Sequence, residues 1–452
     1  MKRFAVVLGM TALWIMGHAV ARSFTLRQAV DFALSHNSLA HLATARRAAA
    51  RAELHVARDQ SMPAISVSYG YLFSNNPLEA LSAELERRQV SAAAFTPNAL
   101  NDPGVTKLGT ATLALSWPLY TGGAIGAAER AGRFGRLAAR SAALRARQTI
   151  IAQVVEAYEG VLAAREAVTV AEKAVAAARR HARTARYLYA RGRIVRSDAL
   201  SAAVNLGASK GMLAEARGDV RIALNNLATA MGAGAGHTIT VPPLLLPVVP
   251  IPRRGLAGLY REAQANRPDI KALRDEIMAL RARAQAARDR SSFQIRLDAQ
   301  SQWFSEIPDL RHNAWTVGAV ISKSLYDGDR NRDRADVLEQ RAAELDARLA
   351  GLRARIRNHV TRAYDRMRTA QTQYRIANAN VVRARKAVAV IQVRYGEGRA
   401  ILLSLLNAEQ GLVQAREARL AALYALAANR AALGAACGGL SRRTLASLGV
   451  AS

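Results

Sequence analysis

Cysteine is almost missing from this chain of 452 residues: Cys437 stands alone, so no internal disulfide framework and no cysteine-based zinc cluster can be built. Aromatic residues make up only 5%. The length would allow two to four globular domains, but so few aromatics cannot fill several thick cores, and thin, elongated helical packing fits better. Lysine is scarce as well, with seven residues against 57 Arg, and 34 acids face 64 bases, a formal +30. With alanine equally inflated, part of that charge reads as compositional drift. Proline is absent from 119–241 and from 309–452. Those two tracts, rich in Ala, Arg, Leu and Glu, are therefore free to form long helices. After residue 21 no run approaches the roughly 18 apolar residues of a membrane helix, so any membrane role falls to strands or to surface contact.

What is present begins with a basic start (Met1 to Arg3), an apolar run (Phe4 to Met16) and Ala19-Val20-Ala21, a small-x-small pattern that predicts a signal peptide over 1–21 and a mature end at Arg22. A Pro cluster from Pro242 to Pro252 reads as a stiff connector within 233–254. On either side of it the chain repeats. Leu119-Tyr120-Thr121-Gly122 recurs as Leu325-Tyr326-Asp327-Gly328, and the same offset of 206 maps Tyr158 onto Tyr364, Tyr189 onto Tyr395, Gly192 onto Gly398 and Leu227 onto Leu433. Upstream, Ala57 to Ser61 matches Ala287 to Ser291 at an offset of 230, so an insertion of 24 residues enlarges the first copy between about Tyr69 and Gly109. The organisation expected is a first repeat over 22–232, the linker over 233–254, a second repeat over 255–434 and a tail over 435–452.

Ile356, Val360, Ala363, Met367, Ala370 and Tyr374 step by four and three, the seam of packed helices. Gly192 and Gly398 read as the turns of long helical hairpins, whose first helix, from about Gly123 to Ala190, would reach on the order of 100 Å. Before each hairpin lie two alternating segments: Ile65 to Tyr71 and Thr112 to Trp117, then Gln294 to Trp303 and Trp315 to Ser322. Each is close to the length of a tilted transmembrane strand, with Tyr or Trp near its ends. They are expected as two hairpins of a barrel. Four strands cannot close in lipid, so closure must involve several chains.

In order and spacing these features resemble the TolC family of outer membrane efflux channels, along essentially the whole mature chain. The resemblance rests on Phe24-Thr25-Leu26-Arg27-Gln28-Ala29 with Asn37-Ser38-Leu39, on Asn266-Arg267-Pro268-Asp269-Ile270, on the two Leu-Tyr-x-Gly junctions, on Tyr158 and Tyr364, and on the Tyr-x-x-Gly turns. It implies a mainly α fold carrying a membrane β-barrel: a duplicated strand-strand-long-hairpin unit that trimerises into a 12-stranded barrel continued by a periplasmic α-helical barrel. It also implies docking to a periplasmic adaptor protein and an inner-membrane pump, passive transport without chemistry or cofactor, and contact with outer-membrane lipid. At the hairpin tip the family's gate maps onto Asp198 and Tyr395, with Ser404 and Asn407 where relatives carry acids, and Ala400, beside Arg399, where they carry an Arg. Arg399 is expected as a partner for Asp198. A plain helix N-cap is the other reading of Asp198.

No His pair, nucleophile elbow or phosphate loop is present, and Gly232 to Gly236 lacks the third spaced glycine of a dinucleotide loop. Two rival functions remain. A basic coiled coil binding nucleic acid fits the charge, but not the export signal, the strands or the lack of stacking aromatics. A periplasmic adaptor would carry one hairpin and a β-sandwich, not a duplicated unit.

Overall fold

A computed structural model describes residues 22–233, 239–242, 255–305, 312–397 and 399–439. The expected signal peptide, most of the Pro-rich connector, Gly398 and the end of the tail lie outside the described residues. In chain order the elements are β1 (Arg22–Ser23), α1 (Leu26–His36), α2 (Ser38–Asp59), β2 (Ala64–Ser74), α3 (Pro77–Glu86), α4 (Pro97–Asn101), β3 (Thr106–Tyr120), α5 (Ala124–Ala190), α6 (Arg196–Met231), β4 (Ile239–Thr240), α7 (Leu256–Asn266), α8 (Pro268–Asp289), β5 (Gln294–Ser305), β6 (His312–Ser322), α9 (Arg330–Gly396) and α10 (Leu402–Ala436).

The duplication is written into these bounds. Helices α5 and α9 are both 67 residues long and start 206 apart, and α1–α2 recur as α7–α8 at an offset of 230. Even the backbone kinks repeat. Gly122 and Gly328 both sit in the left-handed region where strand turns into helix, as do Gly232 and Gly438 just past the hairpins. At Gly232 a Cβ would lie 2.7 Å from the Asn37 backbone, so the position needs glycine for space as well as for its positive φ.

The chain divides into two compact units, each drawing on both repeats. The first comprises the described parts of 22–43, 143–268 and 353–439. Its core sets Leu26, Ala29, Val30 and Ala33 of α1 against Ile150, Val154, Tyr158 and Val161 of α5 and Leu227 and Met231 of α6. Thr25 caps α1 with a reciprocal Thr25–Gln28 box. Tyr158 donates its hydroxyl to the Phe24 carbonyl at 3.3 Å, and burial pushes its phenol up to about 12. The α9 seam read from sequence is buried at Ile356, Val360, Ala363, Met367 and Ala370.

The second unit, 44–142 with 269–352, holds a four-stranded antiparallel sheet in the order β2-β3-β5-β6. The two expected hairpins are both present, and β3 also pairs with β5 along its length, so the two repeats share one sheet. Strand β3 is longer than the alternation suggested, continuing through a bulge at Pro118. The inserted segment forms α3, a turn of 3₁₀-helix at Ala92–Phe95, and α4. Helix α3 opens this segment. It is capped by Asn76, opened by Pro77, and tucks Ala83 against Leu108 and Phe304.

Candidate functional site

Two regions carry the functional geometry, the sheet and the hairpin tips. In the sheet, directly opposed residues share a face. Val67, Leu113, Ser301 and Trp315 line up across the four strands, as do Ile65, Leu115, Ala299 and Val317, giving one broad apolar face. Val67 is 79% exposed and Trp315 73%. On the other face lie Ser66, Ser68, Thr112, Gln300, Gln302 and Thr316, with Ser116 donating to Asp298 at 2.9 Å and Arg296 paired with the same carboxylate. Strands β2 and β6 each have one unpaired edge. Such a sheet, apolar on one side, polar on the other and open at both edges, is a segment of a membrane barrel. Among the described residues no helix is long and apolar enough to cross a membrane.

At the tip of the first hairpin, α5 ends in a Schellman turn. Gly192 bonds back to Tyr189, Arg193 bonds back to Leu188, and Gly192 takes φ +68° with open space around it. The second hairpin repeats the longer bond, from the Arg399 N–H to the Arg394 carbonyl at 2.8 Å. Asp198 is not the N-cap of α6. Val195 holds that place, and Asp198 sits at the third helical position with its N–H on the Val195 carbonyl, where its charge still faces the positive helix end. Ser404 occupies the same position of α10, its N–H on Ile401, and Asn407 is exposed one turn on. Tyr395 packs with Ile194 and Leu406 around Ala185, Ala202 and Leu402, joining the two hairpins. Its hydroxyl is buried without a partner, and its phenol is raised by burial and by the nearby Asp198 charge. Arg399 is exposed and pairs with Glu397 at 3.4 Å rather than with Asp198, because the neighbouring glutamate is within reach inside the same turn.

Two features were not read from the sequence. His181 on α5 meets Glu409 on α10 at 2.6 Å, with both side chains less than a fifth exposed, so a second tie joins the hairpins. Glu159 on α5 has one carboxylate oxygen buried with no partner, and burial, with Glu156 beside it, pushes its acid up to about 8. Neither has a local motif that could have marked it.

The fold and these surfaces define a trans-envelope channel subunit. The family model for outer membrane efflux proteins matches residues 30–233 and 259–439, and the chain belongs to that family. It is 28% identical over 429 residues to Protein CyaE of Bordetella pertussis, covering 93% of this chain and 85% of that one. Among solved structures it is similar to CusC, in crystal structures described for folding and transmembrane channel formation (TM-score 0.76, 18% identity, 93% and 94% coverage). It is also similar to the outer membrane protein VceC of Vibrio cholerae (0.74, 20%, 92% and 96%) and the CmeC outer membrane channel of Campylobacter jejuni (0.74, 18%, 93% and 88%). The chain is thus an outer-membrane exit duct of an efflux or secretion system, with a periplasmic helical extension, and a passive channel rather than an enzyme. Membership removes the adaptor and nucleic-acid readings. Channels of this family are trimeric and work with adaptor and inner-membrane pump components.

Proposed function

We propose that three copies of this chain, cleaved before Arg22, close the β2 edge of one on the β6 edge of the next into a 12-stranded barrel. The observation that carries this reading is the open sheet with its unpaired edges and exposed apolar face, since unpaired backbone groups are not tolerated in lipid. The test compares Val67→Lys, on the apolar face, with Ser68→Lys, on the polar face. A lysine toward lipid costs about 2–4 kcal/mol per chain near the midplane, so Val67→Lys should lower the yield of trimer in outer-membrane fractions while Ser68→Lys leaves it near wild type. Native mass spectrometry of the detergent-extracted protein reads the oligomer and the mature mass. A detergent-free monomer, or equal effects of the two variants, would refute the barrel.

The hairpin tips act as the periplasmic gate and docking end for an adaptor and pump, with Asp198, Tyr395, Arg399, Ser404 and Asn407 around the constriction and Gly192 turning the first hairpin. Support comes from Tyr395 bridging the two hairpins beside Asp198. With Ser404 and Asn407 in place of acids, cation block is weak. Ser404→Asp with Asn407→Asp should create it in planar bilayers, and Tyr395→Phe with Arg399→Ser should raise conductance. If the acidic pair gives no block and Asp198→Ala leaves conductance and selectivity unchanged, these residues do not line the gate.

A further inference from the structure

In the first unit, beside the end of α10, lies a cavity of about 580 Å³, a size that suits a small ligand. Its cationic lining comes from three elements: Arg145 on α5, Arg267 between α7 and α8, and His359, Arg362 and Arg366 on α9. Arg267 is only 4% exposed and is held by a bond from its guanidinium to the Ala436 carbonyl at 3.3 Å. Arg362 and Arg366 form no ion pair among the described residues. That these charges converge is visible on His359, whose imidazole is driven down by burial and then by Arg362, Arg267, Arg145 and Arg355. The acids on the wall are Glu156 and Glu159, and Glu159 stays largely protonated at neutral pH, so the cavity keeps a clear positive excess.

We infer that this cavity is a binding site for a compact polyanion bearing phosphate groups, clamped by Arg267, Arg362 and Arg366. Guanidinium groups present paired N–H donors that match phosphate oxygens two at a time. Arg267 is nearly shielded from water, where charge-assisted bonds are stronger than on an open surface, while Arg362 and Arg366 line the cavity from exposed positions of α9. A bound anion relieves the mutual repulsion of the arginines and ties α9 to the junction of α7 and α8 and, through Arg267, to the end of α10. Nothing in exit-duct function requires it, so it stands or falls separately from the channel reading.

The probe is inorganic pyrophosphate, titrated calorimetrically into the full-length, detergent-extracted protein near pH 7 at ionic strength held constant with NaCl. Wild type should show saturable binding at one site per chain. Arg362→Gln with Arg366→Gln, both at exposed positions, should weaken it about tenfold or more, as expected for the loss of charge-assisted bonds. Arg375→Gln with Arg383→Gln removes equal charge from exposed positions of the same helix outside the cavity, and should change Kd by no more than about twofold. Absence of saturable binding, or a cavity pair that weakens it no more than the control pair, overturns the site.

Discussion

Replacing Glu159 by Gln should make the protein more stable at alkaline pH and leave it nearly unchanged at acid pH. The folded protein holds this acid protonated up to about pH 8, against 4.5 for a free side chain, because burial disfavours the carboxylate and Glu156 lies close by. Below about pH 4.5 the proton is present in folded and unfolded chains alike, and the group contributes no pH dependence. Between 4.5 and 8 the unfolded chain releases the proton while the folded one retains it, so folding loses free energy as pH rises. Above 8 the loss is complete. Full linkage over that interval corresponds to about 5 kcal/mol, and since the side chain is only partly buried, about 2–3 kcal/mol is expected. Gln keeps the shape and cannot ionise, so the variant lacks this loss. Thermal unfolding in detergent, followed by helical circular dichroism from pH 5 to 9, should show the two proteins diverging with rising pH, by a few degrees at pH 9. Parallel curves would mean that the carboxylate finds solvent or a partner in the assembled protein, and would refute the account.

The paired glycines give a second expectation. Gly192→Ala should cost about 1–2 kcal/mol, the left-handed strain alone, because its surroundings are open, whereas Gly232→Ala adds a clash with the Asn37 backbone and should cost distinctly more, read as a larger drop in melting temperature. Equal losses would show that the Asn37 contact yields freely. For the second tie between hairpins, a double-mutant cycle of His181→Ala and Glu409→Gln should give a coupling of about 1–2 kcal/mol, seen as lost amide protection near both residues. Additive effects would assign the joint to Tyr395 and its apolar neighbours alone.

The repeat was legible because its marks are residues that tolerate no substitute: Gly122 and Gly328 need positive φ, proline is barred from both long helices, and Tyr158 fills a closed core. Strand faces were legible for a similar reason, since alternation follows from the pleat itself. Pairing between repeats was not. Whether β3 meets β5 depends on the whole sheet, and Leu115 opposite Ala299 is no better a match than many alternatives. The tip shows the same boundary. Position 198 was identified as important, but N-cap and third helical residue differ only in where the backbone turns, and Val195 has no side chain that would mark it as a cap. The hairpin tie lies beyond the reach of repetition altogether. The positions that correspond to His181 and Glu409 hold Ala387 and Ala203, so the pair belongs to one junction and not to its counterpart. Glu159 and its counterpart Asp365 make the point in burial: each is an acid following the repeated Tyr on a long helix, yet Asp365 is exposed and Glu159 lines a cavity with α9 and α10. Duplication copies local structure, while each copy acquires its own neighbours, and burial, ion pairs and shifted acidities are properties of neighbours.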